Sequence, residues 1–199
     1  IYVGKQAGFH TRHQQDINAL LIKHARAGKT VVRLKGGDPL LFGRGGEEAL
    51  ALGNAKIPYE IVPGVTSAIA VPAYAGIPVT HRAISSSVAI VTGHEDPTKP
   101  ESVIRWDKLA TACDTLVCLM GVSELPSITA QLVRHGRKAA TPCAVIEWGT
   151  RPAQRTVTGT LKTIVLRVRR AAIKPPAILV VGDVVSLRPA MNWFEARPL

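Results

Sequence analysis

With 199 residues, 46% of them hydrophobic, the chain is long enough for one large domain or two small α/β lobes and has the apolar content to bury a core. Its formal charge of +11 and pI near 10.1 predict attraction to a polyanion: nucleic acid, an anionic membrane or a polycarboxylate small molecule. Aromatic residues make up 5% of the chain and do not interleave with the scattered basic ones, which argues against a single-strand stacking platform. No apolar run reaches the ~20 residues of a membrane span and no signal peptide is visible.

Ile1-Tyr2-Val3-Gly4 reads as the end of a strand. From Asp16 to Ala27, Ile17, Leu20, Leu21 and Ala25 recur at helical spacing, and Gly28 is the stop. Val31–Lys35 reads as a strand. A helix opens over Gly46–Leu52, with Glu47 and Glu48 in its first turn, where the macrodipole favours acids. Tyr59–Val62 is the next predicted strand, ending at Pro63-Gly64. Thr66 is the expected N-cap of a small-residue helix that runs through Ala75 and is closed by Gly76 and Pro78. This alternation predicts an α/β lobe with a largely parallel sheet over residues 1–82.

A linker is expected at 83–86 and a second α/β lobe at 87–187. Its predicted strands are Ser87–Thr92, Thr115–Met120, Pro142–Glu147, Arg155–Gly159 and Ala177–Val185. Its helices are placed at Trp106–Ala112, Leu125–His135 and Leu161–Ala172. Residues 188–199, with Trp193 and Phe194, read as a packed-down tail or the root of a linker. Cys113, Cys118 and Cys143 show no C-x-x-C spacing and lie in apolar contexts, so they read as buried free thiols of a reducing cytosol, with no zinc site.

The most informative stretch is Val31-Val32-Arg33-Leu34-Lys35-Gly36-Gly37-Asp38-Pro39, followed by Phe42-Gly43-Arg44-Gly45-Gly46-Glu47-Glu48. Adjacent glycines after a β-branched run let backbone groups approach a ligand with no Cβ in the way. Asp38 supplies an acceptor and Pro39 stiffens the exit. Neither G-x-x-x-x-G-K-[ST] nor a helix-opening G-x-G-x-x-G is present, so a hydroxylated or cationic ligand suits this turn better than a nucleoside triphosphate. Further glycine-bearing turns follow predicted strands at Pro63-Gly64-Val65-Thr66, Gly93-His94-Glu95 and Met120-Gly121-Val122. Loops of that kind converge on ligands in α/β sheets.

These turns, in this order, resemble the tetrapyrrole methyltransferase family, in the branch that methylates uroporphyrinogen III. Matching pieces include Tyr2-Val3-Gly4-Lys5, the Arg33–Pro39 and Phe42–Glu48 runs, and Val62-Pro63-Gly64-Val65-Thr66-Ser67-Ala68. They continue through Ala75-Gly76-Ile77-Pro78-Val79-Thr80-His81-Arg82, Thr92-Gly93-His94-Glu95, Met120-Gly121-Val122 and Gly159-Thr160-Leu161. The resemblance implies two α/β lobes with the active site in the cleft between them. It also implies methyl transfer from S-adenosylmethionine to ring carbons C2 and C7 of uroporphyrinogen III, giving precorrin-2, in a cytoplasmic homodimer that takes no metal, nucleic acid or membrane.

By the same resemblance, Gly36, Gly37, Asp38, Leu41, Thr66, Ser67, Met120 and Gly149 line the cofactor pocket. Arg44 and Arg82 bind substrate carboxylates, and Met120 borders the substrate. Glu47 positions Arg44 or takes the proton, and Lys5 matches a family proton donor. Simpler roles stand beside these: a helix N-terminal acid for Glu47, a surface charge for Lys5, plain core for Met120, an N-cap for Thr66, and structural roles for His81 and His94. Because the substrate carries eight carboxylates, the charge of +11 acquires a specific meaning.

Family members open with a strand and a Gly-x-Gly-Pro-Gly-Asp loop, and neither precedes Ile1. The reading therefore expects a fragment lacking on the order of 30 residues, poorly soluble or oligomeric and without methyl transfer in isolation. The Asn192–Leu199 ending resembles the junction to a uroporphyrinogen-III synthase domain. Two alternatives remain: a folded, non-catalytic remnant, and a same-fold methyltransferase acting on RNA.

Overall fold

A computed structural model describes residues 1–6, 9–10, 13–93 and 103–195; the side chains of residues 5, 6, 9 and 10 lie outside that description. The expected turn residues His94 and Glu95 and the last four residues of the tail also lie outside the described residues. Packing divides the chain into two compact units, Ile1–Thr66 and Ser67–Leu199. The expected linker at 83–86 falls within the second unit, because the helix that follows Thr66 packs on that unit's sheet.

In the first unit, a short antiparallel pair joins β1 (Lys5–Gln6) to β2 (Phe9–His10). Helix α1 (Gln14–Arg26) follows; the Asp16 carboxylate accepts from the His13 amide at 3.2 Å, satisfying one of the donors that a helix start leaves unpaired. Gln14, Ile17 and Leu21, at helical spacing, form its buried face. Helix α2 (Gly45–Asn54) packs against α1.

Two expected strands are absent. Val31–Lys35 and Tyr59–Val62 join no ladder among the described residues, so this unit has no parallel sheet there. β-branched composition favours an extended, half-buried chain but forms a strand only when a partner accepts its hydrogen bonds. Here Val32, Leu34 and Val62 are about four-fifths exposed (82%, 84% and 79%). The segment from Val31 is tethered instead by side chains: buried Glu48 accepts from Lys35 Nζ at 2.9 Å, Arg33 Nε at 3.2 Å and Gln14 Nε2 at 3.2 Å.

The second unit is a mixed α/β layer structure. Helix α3 (Ser67–Tyr74) begins immediately after the expected N-cap, Thr66. Strands β3 (Val88–Thr92), β4 (Thr115–Leu119), β5 (Pro142–Glu147), β6 (Arg155–Thr160) and β7 (Ala177–Val181) form one sheet in the order β3-β4-β7-β5-β6. Only β3–β4 is parallel; β7 runs antiparallel to both β4 and β5, and β5–β6 is antiparallel. Residues 148–154 are too few for a parallel crossover, so β5 and β6 can pair only in opposite directions.

Helices α4 (Trp106–Ala112), α5 (Leu125–Arg134) and α6 (Ile164–Arg170) cover one face. There Trp106, Ile128, Leu132, Ile164 and Val168 pack on Leu116, Cys118, Val145, Leu179 and Val181. Alternation along β4 sends Val117 to the opposite face, and α3 packs on β4 and β7. The expected strand Ala177–Val185 ends at Val181, because the chain turns into a 3-10 helix at Asp183–Leu187. Helix α7 (Arg188–Met191) follows, and Tyr74, Trp193 and Phe194 form an aromatic cluster with ring centroids 4.9–5.6 Å apart.

Candidate functional site

In the first unit, the Gly36-Gly37-Asp38 turn and the Pro63-Gly64 turn meet. Gly37 adopts φ +71°, a conformation that favours glycine. Both Asp38 oxygens are engaged with the loop itself: Oδ1 accepts from the Leu40 amide at 2.8 Å and the Leu41 amide at 3.1 Å, and Oδ2 accepts from the Gly64 amide at 3.2 Å. The Leu40 amide, then that of Gly64, holds the Asp38 carboxyl below its usual range. Asp38 therefore braces two turns as well as offering acceptor capacity at the surface. Gly36 is exposed, with open space where a side chain would stand, so ligand atoms can reach its backbone.

Arg44 stands at the start of α2 in a left-handed conformation, φ +59°. Its Nε and Nη2 each donate to one Glu47 oxygen at 2.7 Å, a bidentate pair whose hydrogen bonds raise the arginine's pKa further. Both side chains are about half exposed. Glu47 and Arg44 are thus brought together, and the Arg44 Nη1 group makes no ion pair or hydrogen bond among the described residues. The Lys5 side chain lies outside the described residues.

The same unit reveals a residue whose importance the sequence reading missed. Burial pushes the Glu48 carboxyl upward, but the hydrogen bonds from Lys35 and Gln14 and the charges of Lys35 and Arg33 outweigh it, so its pKa lies below the ordinary value. Glu48 ties the strand-like approach to the Gly-Gly turn onto α2. The Glu47-Glu48 pair was visible as two helix-start acids; that one faces inward follows from the α2 periodicity. A cavity of about 250 Å³, lined by apolar Ile17, Leu21 and Val31 and by polar or charged His24, Lys29 and Arg33, has none of this unit's described expected site residues in its wall.

In the second unit, exposed Ser67 opens α3, and Arg82 is exposed in the turn closed by the His81–Ser85 bridge. Arg82 has no ion-pair partner among the described residues. Met120 follows β4 at φ +57° and is 52% exposed, which removes the reading of it as plain core. After β5, Trp148 (φ +49°) and Thr150 (φ +69°) flank Gly149. A Cβ on Gly149 would lie 2.3 Å from Val71 Cγ1 of α3, so the glycine permits that loop and α3 to touch. Among the described residues, no group of His, Cys, Asp and Glu could hold a metal ion, and no helix is long and apolar enough to cross a membrane.

Similarity to known proteins bears on this arrangement. A protein from Methanosarcina barkeri described as an S-adenosyl-L-methionine-dependent uroporphyrinogen III methyltransferase is 57% identical over 187 residues, covering 94% of this chain and 73% of the relative. The uroporphyrinogen-III C-methyltransferase of Priestia megaterium is 55% identical over 186 residues, covering 94% and 78%. The crystal structure of the Thermus thermophilus uroporphyrin-III C-methyl transferase complexed with S-adenyl homocysteine matches with a TM-score of 0.78 at 38% identity, covering 94% of this chain and 78% of that one. The family model for tetrapyrrole (corrin/porphyrin) methylases matches residues 2–165. With the glycine turns and Arg44–Glu47 pair in place, and relatives of this identity along nearly its whole length, the chain belongs to the tetrapyrrole methylase family.

Proposed function

We propose that this chain is a methyltransferase that transfers methyl groups from S-adenosylmethionine to C2 and C7 of uroporphyrinogen III, giving precorrin-2. The observation that carries the reading is the 57% and 55% identity, over 94% of the chain, to relatives named for methylating this substrate. The charge of +11 supports it, since the substrate is a polycarboxylate.

The open turn at Gly36 fits the cofactor, because a side chain there would fill space that a ligand can take. Bound S-adenosylmethionine supplies a methyl group activated on a sulfonium sulfur, ready for in-line attack by an electron-rich pyrrole carbon. The protein's task is then chiefly alignment of two bound molecules. By the family resemblance, the residues assigned to the cofactor are Gly36, Gly37, Asp38, Leu41, Thr66, Ser67, Met120 and Gly149. Arg44, aimed by Glu47, and Arg82 bind substrate carboxylates, with Met120 against the macrocycle. Lys5 is assigned as a proton donor, and Glu47 either holds Arg44 in place or takes the proton that leaves the ring after methylation. The working form is a cytoplasmic homodimer; light scattering on the purified protein checks its mass.

The test is methyl transfer by the protein in its natural reading frame. With methyl-labelled S-adenosylmethionine, uroporphyrinogen III should gain two labels per macrocycle while ribosomal RNA gains none. Label on RNA with an unlabelled tetrapyrrole would overturn the assignment.

A further inference from the structure

The C-terminal segment is fastened at two places, and both lead to the same pair of elements. Trp193 Nε1 donates to the Ala73 carbonyl of α3 at 3.0 Å, and Trp193 and Phe194 pack on Tyr74, with ring centroids 5.0 and 4.9 Å away. Glu195 forms the second anchor. Its Oε2 accepts from Arg188 Nη2 at 2.5 Å, and its Oε1 accepts from the Thr156 hydroxyl and from Gln154 Nε2 at 2.8 Å.

The buried Gln154 carries this anchor onward, because its Oε1 accepts from the Thr150 amide at 2.7 Å. Thr150 and Trp148 hold left-handed conformations on either side of Gly149. Residues other than glycine keep such conformations only where their surroundings hold them. Gly149 in turn touches Val71 of α3. Glu195 is thus linked through Gln154 to the loop after β5, Trp193 is linked to α3, and the loop and α3 meet each other.

We propose that Glu195 and Gln154 are positioning residues: the C-terminal segment latches the Trp148–Thr150 loop and α3 into the conformation that receives S-adenosylmethionine. This rests on the reading that Ser67 and Gly149 contact the cofactor. A latch for the fold alone would need only the aromatic cluster. The Glu195–Gln154 relay instead ends on a single backbone amide in a loop of unfavourable φ values.

The experiment measures S-adenosylhomocysteine affinity by calorimetry, the melting temperature, and hydrogen exchange at the Thr150 amide. Gln154→Ala and Glu195→Ala each break the Gln154–Glu195 hydrogen bond along with others and should each weaken binding at least roughly five- to tenfold, the effect of about one net hydrogen bond, and accelerate Thr150 exchange. The reciprocal pair Gln154→Glu with Glu195→Gln keeps an acceptor for Thr150 and a donor–acceptor contact between the two positions. It should restore affinity to within about twofold of wild type. Unchanged affinity in both single variants, or a loss in the reciprocal pair equal to that of the singles, overturns the latch. Wild-type protein that fails to bind S-adenosylhomocysteine overturns the functional reading itself, and Thr150 exchange still reports whether the relay holds the loop.

Discussion

Gly64 lies against Gly37: a Cβ on Gly64 would stand 2.2 Å from the Gly37 carbonyl oxygen, and the Gly64 amide donates to Asp38 Oδ2. Two turns separated by 26 residues are therefore one structural object, with its close approach set by a missing side chain on one turn and a carboxylate on the other. Any ligand that reads the Gly36–Asp38 backbone depends on Gly64 for the shape it meets.

Substitutions at these glycines separate shape from contact. Gly64→Ala forces the two turns apart and should destabilise the protein by about 1–3 kcal/mol, the range for overpacking, with loss of S-adenosylhomocysteine binding. Gly37→Val places a branched residue at φ +71° and should abolish binding too. Gly36→Ala meets nothing within 4 Å and should leave stability within about 0.5 kcal/mol of wild type. A drop in cofactor affinity at Gly36→Ala without a change in melting temperature is the expected result. Unaltered affinity there would remove Gly36 from the site.

The two arginines should behave differently from the glycines. Each charge-assisted contact to a substrate carboxylate is worth about 1.5–3 kcal/mol, so Arg44→Ala and Arg82→Ala should raise the uroporphyrinogen III constant roughly tenfold to a hundredfold, with little effect on the cofactor. Glu47→Gln should weaken substrate binding less than Arg44→Ala, because it leaves the guanidinium present but releases its bidentate aim. Equal losses for substrate and cofactor would assign these residues to the fold instead. Steady-state kinetics with each ligand varied in turn makes the distinction.

The three thiols should differ in reactivity. Burial pushes Cys118 and Cys143 up to about 12, so almost no thiolate forms at either near neutral pH. Cys113 is only partly buried. Alkylation at pH 8 should label Cys113 first in the native protein and all three in denaturant. Mass spectrometry of the labelled peptides checks the order, and early labelling of Cys118 would contradict the packing of β4.

The helices and the second unit's strands were legible because their periodicity coincides with what they bury. Leu116 and Cys118 alternate with Val117 along β4, and Ile128 and Leu132 repeat along α5. Val31–Lys35 and Tyr59–Val62 carry the same β-branched signal, yet pairing depends on a partner strand, which no local pattern specifies. Strand direction was hidden for a similar reason, as β7 enters the sheet between β4 and β5 from far along the chain. At the site, the Gly-Gly-Asp-Pro turn was plain from its residues. That Asp38 spends its oxygens on Leu40, Leu41 and Gly64, and that Glu195 reaches Gln154 from 41 residues away, are products of tertiary folding.

The acid response of the first unit should centre on Glu48. Its folded pKa is depressed, so its contribution is fully present above the unfolded value of about 4.3 and is lost as pH falls through the lower folded value. Asp38, held down by the amides of Leu40 and Gly64, acts in the same direction in this unit, and in the second unit Asp114, held down by the Ser87 hydroxyl and the Ser86 and Ser87 amides, does likewise. Stability should therefore change little between about pH 8 and 5 on account of these groups and fall steeply below about pH 4. Glu48→Gln removes the countercharge of Lys35, whose side chain is only 12% exposed, and of Arg33. It should cost about 3 kcal/mol at pH 7, at the low end for breaking a buried pair. The difference from wild type should shrink as the pH is lowered, because protonation of the wild-type carboxyl produces the same loss. Denaturant melts of both proteins at pH 7 and pH 3 measure it, and a gap that stays constant across that range would mean that the Glu48 charge does not hold the Arg33–Lys35 segment in place.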